Sequence, residues 1–191
     1  MRYPREHKAE IHEKIVKDAS HRLRAEGMSG AAVAAVMRDT GLTHGGFYRH
    51  FRNKDDLLME SLSEAFQDIA NKLARAARRA RPEAAWKAIV KTYLSLEYCD
   101  HAERGCPVTA LAPELARADS RLKSQILSGL VGYMEQMVPF MPGRRKADRE
   151  CAFFSIFATM VGAVEIARML PEPAMREKVL ASTRNFLLHS F

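Results

Sequence analysis

The chain has 191 residues, 47% of them hydrophobic, which suits one large domain or a small module joined to a larger body. Its formal net charge of +7 favours an anionic partner such as nucleic acid. Its three cysteines are an odd number in a long chain, which excludes a disulfide framework, and no Cys or His spacing typical of zinc sites occurs.

The N-terminus and the apolar runs bear on location. The first ten residues, MRYPREHKAE, lack the apolar segment of a secretory signal. The longest apolar run, CAFFSIFATMVGAV at residues 151–164, falls short of the roughly 18 residues that span a membrane. We therefore expect a cytoplasmic protein with no membrane partner.

Apolar residues recur at helical spacing throughout, and the alternating β-branched runs that indicate strands are absent. Helices are predicted over residues 6–26, 31–38, 43–50, 54–79, 83–99, 108–118, 119–138, 147–169 and 174–189, with Pro113 interrupting the sixth. Thr43 is placed to cap the third helix and Asn53 the fourth. The predicted fold is all-α, with about nine helices: a three-helix module in residues 1–54 and a helical-bundle body in residues 55–191.

The second and third predicted helices have helix-turn-helix spacing, because a four-residue turn containing Gly41 separates them. The later helix of such a motif enters the major groove of DNA by its N-terminal residues. The residues assigned to DNA contact are Thr43, Tyr48 and Lys54 for phosphates, His44, Arg49 and His50 for base edges or phosphates, and Gly45 and Gly46 for close approach of the backbone. The alternative is an ordinary solvated surface.

Two other function classes compete with DNA binding. An enzyme is not expected, since no carboxylate pair, Ser/His/Asp set, phosphate loop or metal spacing is present, and we predict no cofactor and no metal. The other class is a helical adaptor whose DNA-binding module has decayed. Intact Gly41, Thr43, Tyr48 and Lys54 argue against it.

The segment GAAVAAVMRDTGLTHGGFYRHFRNKDDLL resembles the DNA-binding region of the TetR/AcrR family of bacterial transcriptional regulators. The positions that match the family pattern are Gly41, Leu42, Thr43, Gly45, Phe47, Tyr48, His50, Phe51, Lys54 and Leu57. The stretch YLSLEYCDHAERGCPVTALAPELAR also resembles a subgroup of that family. Ser20 and Arg24 stand where the family often has larger apolar residues, which predicts a looser contact between the first helix and the helix-turn-helix module.

The resemblance implies an all-helical homodimer whose N-terminal domain binds operator DNA and whose C-terminal domain binds a small effector that releases it. It also implies that the last two helices pair across the dimer. The wide apolar circumference of the eighth helix supports this pairing, although a core within one chain is the alternative. The predicted interface residues are Phe153, Phe154, Val161, Val164, Leu180, Phe186 and Leu187.

Pockets in helical bundles are apolar and hold a few polar groups. The candidates for a small, mainly apolar effector are Trp86, Tyr93, Met134, Met137, Phe157 and Met160, with Glu97 as a polar handle. The alternative is that these residues are ordinary core.

Cys106 precedes Pro107 at a predicted helix N-terminus, next to Arg104. The helix dipole and the cation both favour a thiolate, which oxidants or electrophiles attack. Cys106 is therefore a candidate redox sensor that would change DNA affinity. The alternative is a small buried residue whose role is packing.

Overall fold

The structure is a computed structural model that describes residues 5–191, apart from the side chains of Arg5, Glu6 and His44. The described residues form nine α-helices, four 3-10 helices and no strand, which confirms the all-α prediction. The α-helices are α1 (Arg5–Glu26), α2 (Val33–Asp39), α3 (Lys54–Arg79), α4 (Ala85–Tyr93), α5 (Leu96–Asp100), α6 (Pro107–Ala116), α7 (Ser120–Met137), α8 (Lys146–Arg168) and α9 (Pro173–Ser190). The 3-10 helices are η1 (His44–Arg49), η2 (Pro82–Ala84), η3 (Ala102–Arg104) and η4 (Val138–Phe140).

We call α1, α2, η1 and the first turn of α3 the reading unit. They pack around one apolar cluster: Ile15, Val16, Ala19, Val36, Met37, Phe47, Phe51 and Leu57. The turn between α2 and η1 needs Gly41, whose φ of 76° lies in the left-handed region that other residues reach only at a cost. The Asn53 side chain caps α3 by accepting the Asp56 N–H at 2.9 Å, as predicted.

Several predicted elements differ in the structure. The predicted third helix is the short 3-10 helix η1, because two adjacent glycines disfavour α-helix. Thr43 occupies the N-cap position, but its side chain makes no capping hydrogen bond. The predicted fifth helix is three separate helices, η2, α4 and α5. The break between α4 and α5 comes at Ser95, whose hydroxyl caps α5 by accepting the Tyr98 N–H. Pro113 lies inside α6 rather than interrupting it.

The body is built on α3, which packs against α1, α4 and α7, while α8 packs against α9. Among the helices described for residues 5–191, α8 alone is long and apolar enough to cross a membrane. Sequence reasoning did not anticipate this. Half of its apolar window is buried within the chain, and the core helices of soluble proteins meet the same criterion.

Arg24 ties α1 to the body. Its side chain is buried, and its Nη1 donates to the Gly105 carbonyl at 3.1 Å and to Asp68 Oδ2 at 3.2 Å. Beyond the end of α1, Glu114 of α6 accepts the Met28 N–H at 2.7 Å. At Arg24, the position that lacks an apolar side chain therefore carries an ion pair and hydrogen bonds to the body instead.

The crossing of α3 and α7 depends on a missing side chain. A Cβ added to Gly129 would lie 2.5 Å from Cδ2 of the buried Phe66 ring. A Cβ added to Gly132, one turn along α7, would meet no atom within 4 Å. Only Gly129 is therefore required by the packing of the two helices.

We expect Gly129→Ala to lower the free energy of unfolding by about 1–3 kcal/mol, because Phe66 or the helix must move. Gly132→Ala, the matched control, should raise it by up to about 1 kcal/mol, since it removes backbone freedom without a clash. Thermal and urea unfolding of both variants measure the difference. Equal stabilities would show that the crossing tolerates a methyl group.

Candidate nucleic-acid interface

The η1 helix is held from behind by two aromatic rings. Phe47 and Phe51 are buried and stack with centroids 5.3 Å apart. Three neighbouring residues lie on the outer side of η1: Gly45 and Arg49 are exposed, and Tyr48 is 68% exposed. The sequence thus places an apolar anchor and a polar outer face on the same six-residue helix.

The two glycines of η1 meet no constraint inside the protein. A Cβ at Gly45 would meet nothing within 4 Å, and one at Gly46 would make only ordinary contacts, 3.6 Å from Met37 Cε and 3.7 Å from Thr43 Oγ1. Neither has a positive φ. Since packing and backbone conformation both permit a side chain there, the open space belongs to the outer face of the molecule.

A groove of about 760 Å³ runs along this face. Its walls are the start of α1 and η1 with its flanks: His7, Lys8, Ile11, Leu42, Thr43, Gly45, Gly46, Arg49 and His50. Sequence reasoning identified five of the η1-side residues but missed Lys8. The only signal for Lys8 was the basic character of the first ten residues.

The charges around the groove are unbalanced. Lys8, Arg49, Arg52 and Lys54 are exposed, and within the described side chains no ion pair joins them to a carboxylate. Three nearby carboxylates have partners elsewhere: Asp39 pairs with Arg22 at 2.6 Å, Glu60 with His12 at 2.6 Å, and Asp56 lies 3.9 Å from Arg121 of α7. Asp55 is exposed next to Lys54 in the chain, so the exposed cations outnumber it around the groove, which favours phosphate binding.

His50 ends η1 and is half-buried. Burial, together with the nearby His12, Lys8 and Arg49, lowers the pKa of the His50 imidazole below its usual 6.5. The ring is therefore neutral near pH 7 and is suited to a hydrogen bond rather than to a charge contact with phosphate. The side chain of His44, another predicted contact, lies outside the described residues.

The predicted effector residues do not form one site. Met137, Phe157 and Met160 surround an apolar gap that is too narrow to hold a water molecule. Trp86 is buried beside Phe191, and Tyr93 is buried against Tyr98, with ring centroids 4.5 Å apart. Met134 is half-buried and Glu97 is exposed on α5. The grouping predicted from sequence is therefore wrong as a single cavity.

The predicted dimer residues divide by burial. Phe153, Val164, Leu180 and Leu187 are buried in the chain's own core and are not available to a partner, which corrects their assignment. Phe154 and Phe186 are exposed, and Val161 is half-buried. Sequence reasoning missed Ile166, Met169 and Met175, which share the exposed side of α8 and α9.

Cys106 stands at the N-cap of α6, as predicted, but its surroundings differ from the prediction. It is fully buried, and its backbone N–H donates to Tyr98 Oη at 2.6 Å. Burial raises the pKa of the Cys106 thiol, and the expected cation Arg104 is exposed and lies near Glu103. The thiolate predicted from the helix dipole is therefore not supported, and Cys106 fits the packing alternative.

Part of the reading unit is similar to known proteins. Residues 15–60 match the family model of bacterial regulatory proteins, tetR family. An HTH-type transcriptional regulator of Mycobacterium tuberculosis is 31% identical over 72 residues, which are 38% of this chain and 31% of the relative. The chain therefore aligns with less than a third of that relative's length.

Solved structures share the whole fold. A TetR transcriptional regulator from Chloroflexus aurantiacus superposes with a TM-score of 0.74 at 22% identity, covering 96% of each chain. The transcriptional regulator FadR from Bacillus subtilis, in complex with stearoyl-CoA, superposes with a TM-score of 0.67 at 18% identity. That match covers 94% of this chain and 98% of FadR.

The buried state of Cys106 is testable by thiol labelling. In a variant with Cys99→Ala and Cys151→Ala, we expect the remaining thiol to react with an aromatic disulfide reagent at pH 7.5 at least about 100-fold more slowly than after unfolding in urea, because it is buried and protonated. Absorbance of the released thiolate gives the rate. Labelling rates of the native and unfolded proteins that agree within a few-fold would support the hypothesis that Cys106 is a redox sensor.

Proposed function

We propose that this chain, whose N-terminal domain belongs to the TetR family of bacterial regulatory proteins, is a sequence-specific DNA-binding transcriptional regulator. We further assign it the role of a homodimeric repressor that a small, mainly apolar effector releases from its operator. The observation that carries the proposal is the bare Gly45 on the outer face of η1, among cations that no described carboxylate neutralises.

The reading unit supplies both parts of DNA recognition. Gly45 and Gly46 let the η1 backbone approach base edges closely, with Arg49 beside them to reach a base or a phosphate. Lys8 and Lys54 flank η1 on α1 and α3, where they hold phosphates and fix the register. A unit this small binds weakly alone, so two copies about one DNA turn apart are required for a stable complex.

The α8–α9 side supports the dimer. Phe154 and Ile166 of α8 and its C-cap residue Met169 are exposed at helical spacing, and Phe186 of α9 is 63% exposed. Gly162 lies on the same side of α8, where an added Cβ would meet nothing within 4 Å. An exposed apolar surface with a small residue at its centre suits close packing of two helices against their copies.

The contacts of α1 with the body support release by an effector. Arg24 holds the Gly105 carbonyl and Glu114 holds the Met28 N–H, so α6 and the residues before it are joined to the reading unit at two points. A ligand that displaces α6 would move α1 and change the spacing of the two reading units. The stearoyl-CoA complex of FadR supports a ligand-binding role for this fold.

The proposal assigns no catalytic activity and places the protein with DNA in the cytoplasm. The thiol-sensor alternative is less well supported, because its proposed thiol is buried and its pKa is raised.

Gly45→Leu tests the outer face of η1, which we call the reading face. The substitution should leave the unfolding temperature within about 2 °C of wild type, since the site is open within the protein. Affinity for the DNA upstream of the protein's own gene should fall by more than about 100-fold, because the side chain keeps the backbone from the groove floor. Fluorescence anisotropy with labelled duplex measures both the affinity and its salt dependence.

Lys54→Ala and a remote control complete this test. Loss of one phosphate contact should reduce the slope of log K against log [salt] by about 0.9. Lys87→Ala is the control, because Lys87 lies on α4 beyond the far end of the 26-residue α3. A Gly45→Leu protein that binds like wild type, or a salt slope unchanged in Lys54→Ala, would contradict the placement of the reading face.

The dimer is tested by sedimentation at micromolar concentration. Wild type should sediment at twice the 21.5 kDa of one chain, and the double variant Phe154→Glu, Phe186→Glu should dissociate on the order of 100-fold more readily, because carboxylates would be desolvated at the contact. Leu127→Glu is the matched control, since Leu127 is 60% exposed but lies on α7. A monomeric wild-type protein would remove the dimer from the proposal.

A further inference from the structure

A groove between α3 and α7 lies apart from the reading face and from the predicted effector residues. Its volume is about 170 Å³, close to that of engineered protein cavities of about 150 Å³ that bind benzene, so it suits a small aromatic ligand. Its floor is aromatic, formed by Phe66 of α3 and Tyr133 of α7, both buried. The close crossing at Gly129 brings these two rings to the base of the same groove.

The rim of the groove carries side-chain amides. Gln67 comes from α3, and Gln125 and Gln136 come from α7. Gln136 Nε2 and Gln67 Oε1 lie 3.5 Å apart across the groove, at the limit of a hydrogen bond. These amides both donate and accept, so a ligand with a hydroxyl, carbonyl or amide edge could replace this long contact with shorter ones.

No residue that lines the groove is acidic or basic. A charged group of a ligand would lose water there without gaining a counter-ion, which is costly. The reading face, in contrast, is surrounded by cations. The chemistry of this groove therefore selects against carboxylates, phosphates and amines.

Tyr133 gives the groove a connection to the interior. The same residue lines the apolar gap near Met137, Phe157 and Met160, and its ring lies 5.3 Å from that of Phe157. A ligand in the groove would thus press on a ring shared with the core between α7 and α8. Occupation of the groove could shift α7 without any ligand atom entering the interior.

We propose that the groove between α3 and α7 binds an uncharged aromatic ligand, with its ring against Phe66 and Tyr133 and its polar edge bonded to the glutamine amides. The inference rests on the proposed function, for which this ligand is the effector. It names the effector's class as neutral, aromatic and amphiphilic.

The test uses three probes with one ring system: 2-naphthamide, 2-naphthoate and 2-naphthylmethylamine. Their binding to the full-length protein is measured by calorimetry at pH 7.5 without DNA. We expect 2-naphthamide to bind at least tenfold more tightly than either ion. A charged probe that binds equally or better, or no saturable binding of any probe at millimolar concentration, would overturn the proposal.

Gly132→Leu locates the site. The Cβ position is open, so the side chain projects into the groove and adds helix propensity rather than a clash. We expect at least tenfold weaker binding of 2-naphthamide, with an unchanged unfolding temperature. Lys123→Leu, an exposed position of α7 off the groove lining, should bind like wild type.

A Gly132→Leu protein that retains wild-type binding would refute the site. The ligand assay contains no DNA, so its failure leaves the DNA measurements untouched. Conversely, loss of DNA binding in wild type with intact 2-naphthamide binding would refute the regulator and not the groove.

Discussion

The buried guanidinium of Arg24 is the interaction on which the relation between reading unit and body depends. It bonds its own helix at the Ser20 carbonyl, α3 at Asp68 and the loop before α6 at the Gly105 carbonyl. A buried cation is held firmly, because leaving a buried polar group without a hydrogen-bond partner costs about 1–3 kcal/mol, and more for a charged group. The α1 helix therefore cannot rotate on α3 without also moving the residues that precede α6.

The charge of the reading face also depends on which groups pair with each other. Carboxylates near η1 are engaged behind it, by Arg22, His12 and Arg121, and two of these three pairs are as close as 2.6 Å. Such surface pairs contribute little to stability. Their main effect is directional, because they turn negative charge away from the side where cations stand exposed. The electrostatic character of this face thus depends on acids that do not lie on it.

The sequence was most informative where local chemistry decides the outcome. Helix bounds agree within a few residues for α1, α3, α8 and α9, since caps such as Asn53 and helical spacing are local signals. The break at Ser95 and the 3-10 form of η1 were not predicted, although the Ser95 cap and the two adjacent glycines are local signals as well. Phe153 and Phe154 are identical residues side by side, and one is buried while the other is exposed. Periodicity cannot distinguish them on a helix that is apolar around most of its circumference.

The site was predictable to the same extent. The pattern around Gly41 identified η1 and most of its outer residues, because turn residues and aromatic spacing can be recognised from neighbouring positions in the sequence. Cys106 was placed at a helix start, but the pKa of its thiol is raised mainly by burial, which a position at a helix start does not reveal. The groove between α3 and α7 was not anticipated, since its lining combines residues about 60 positions apart in the chain.

The contact of Gly129 with Phe66 is a pivot point about which α7 could tilt. Gly129 stands near the middle of Ser120–Met137, so each arm is about 12–14 Å long at 1.5 Å per residue. One arm carries Tyr133 and Gln136 of the groove, and the other carries Leu122 and Ile126, which pack with Leu23 and Met28 at the end of α1. A tilt about this pivot would convert a small outward displacement at the groove into an inward one of similar size beneath the reading unit.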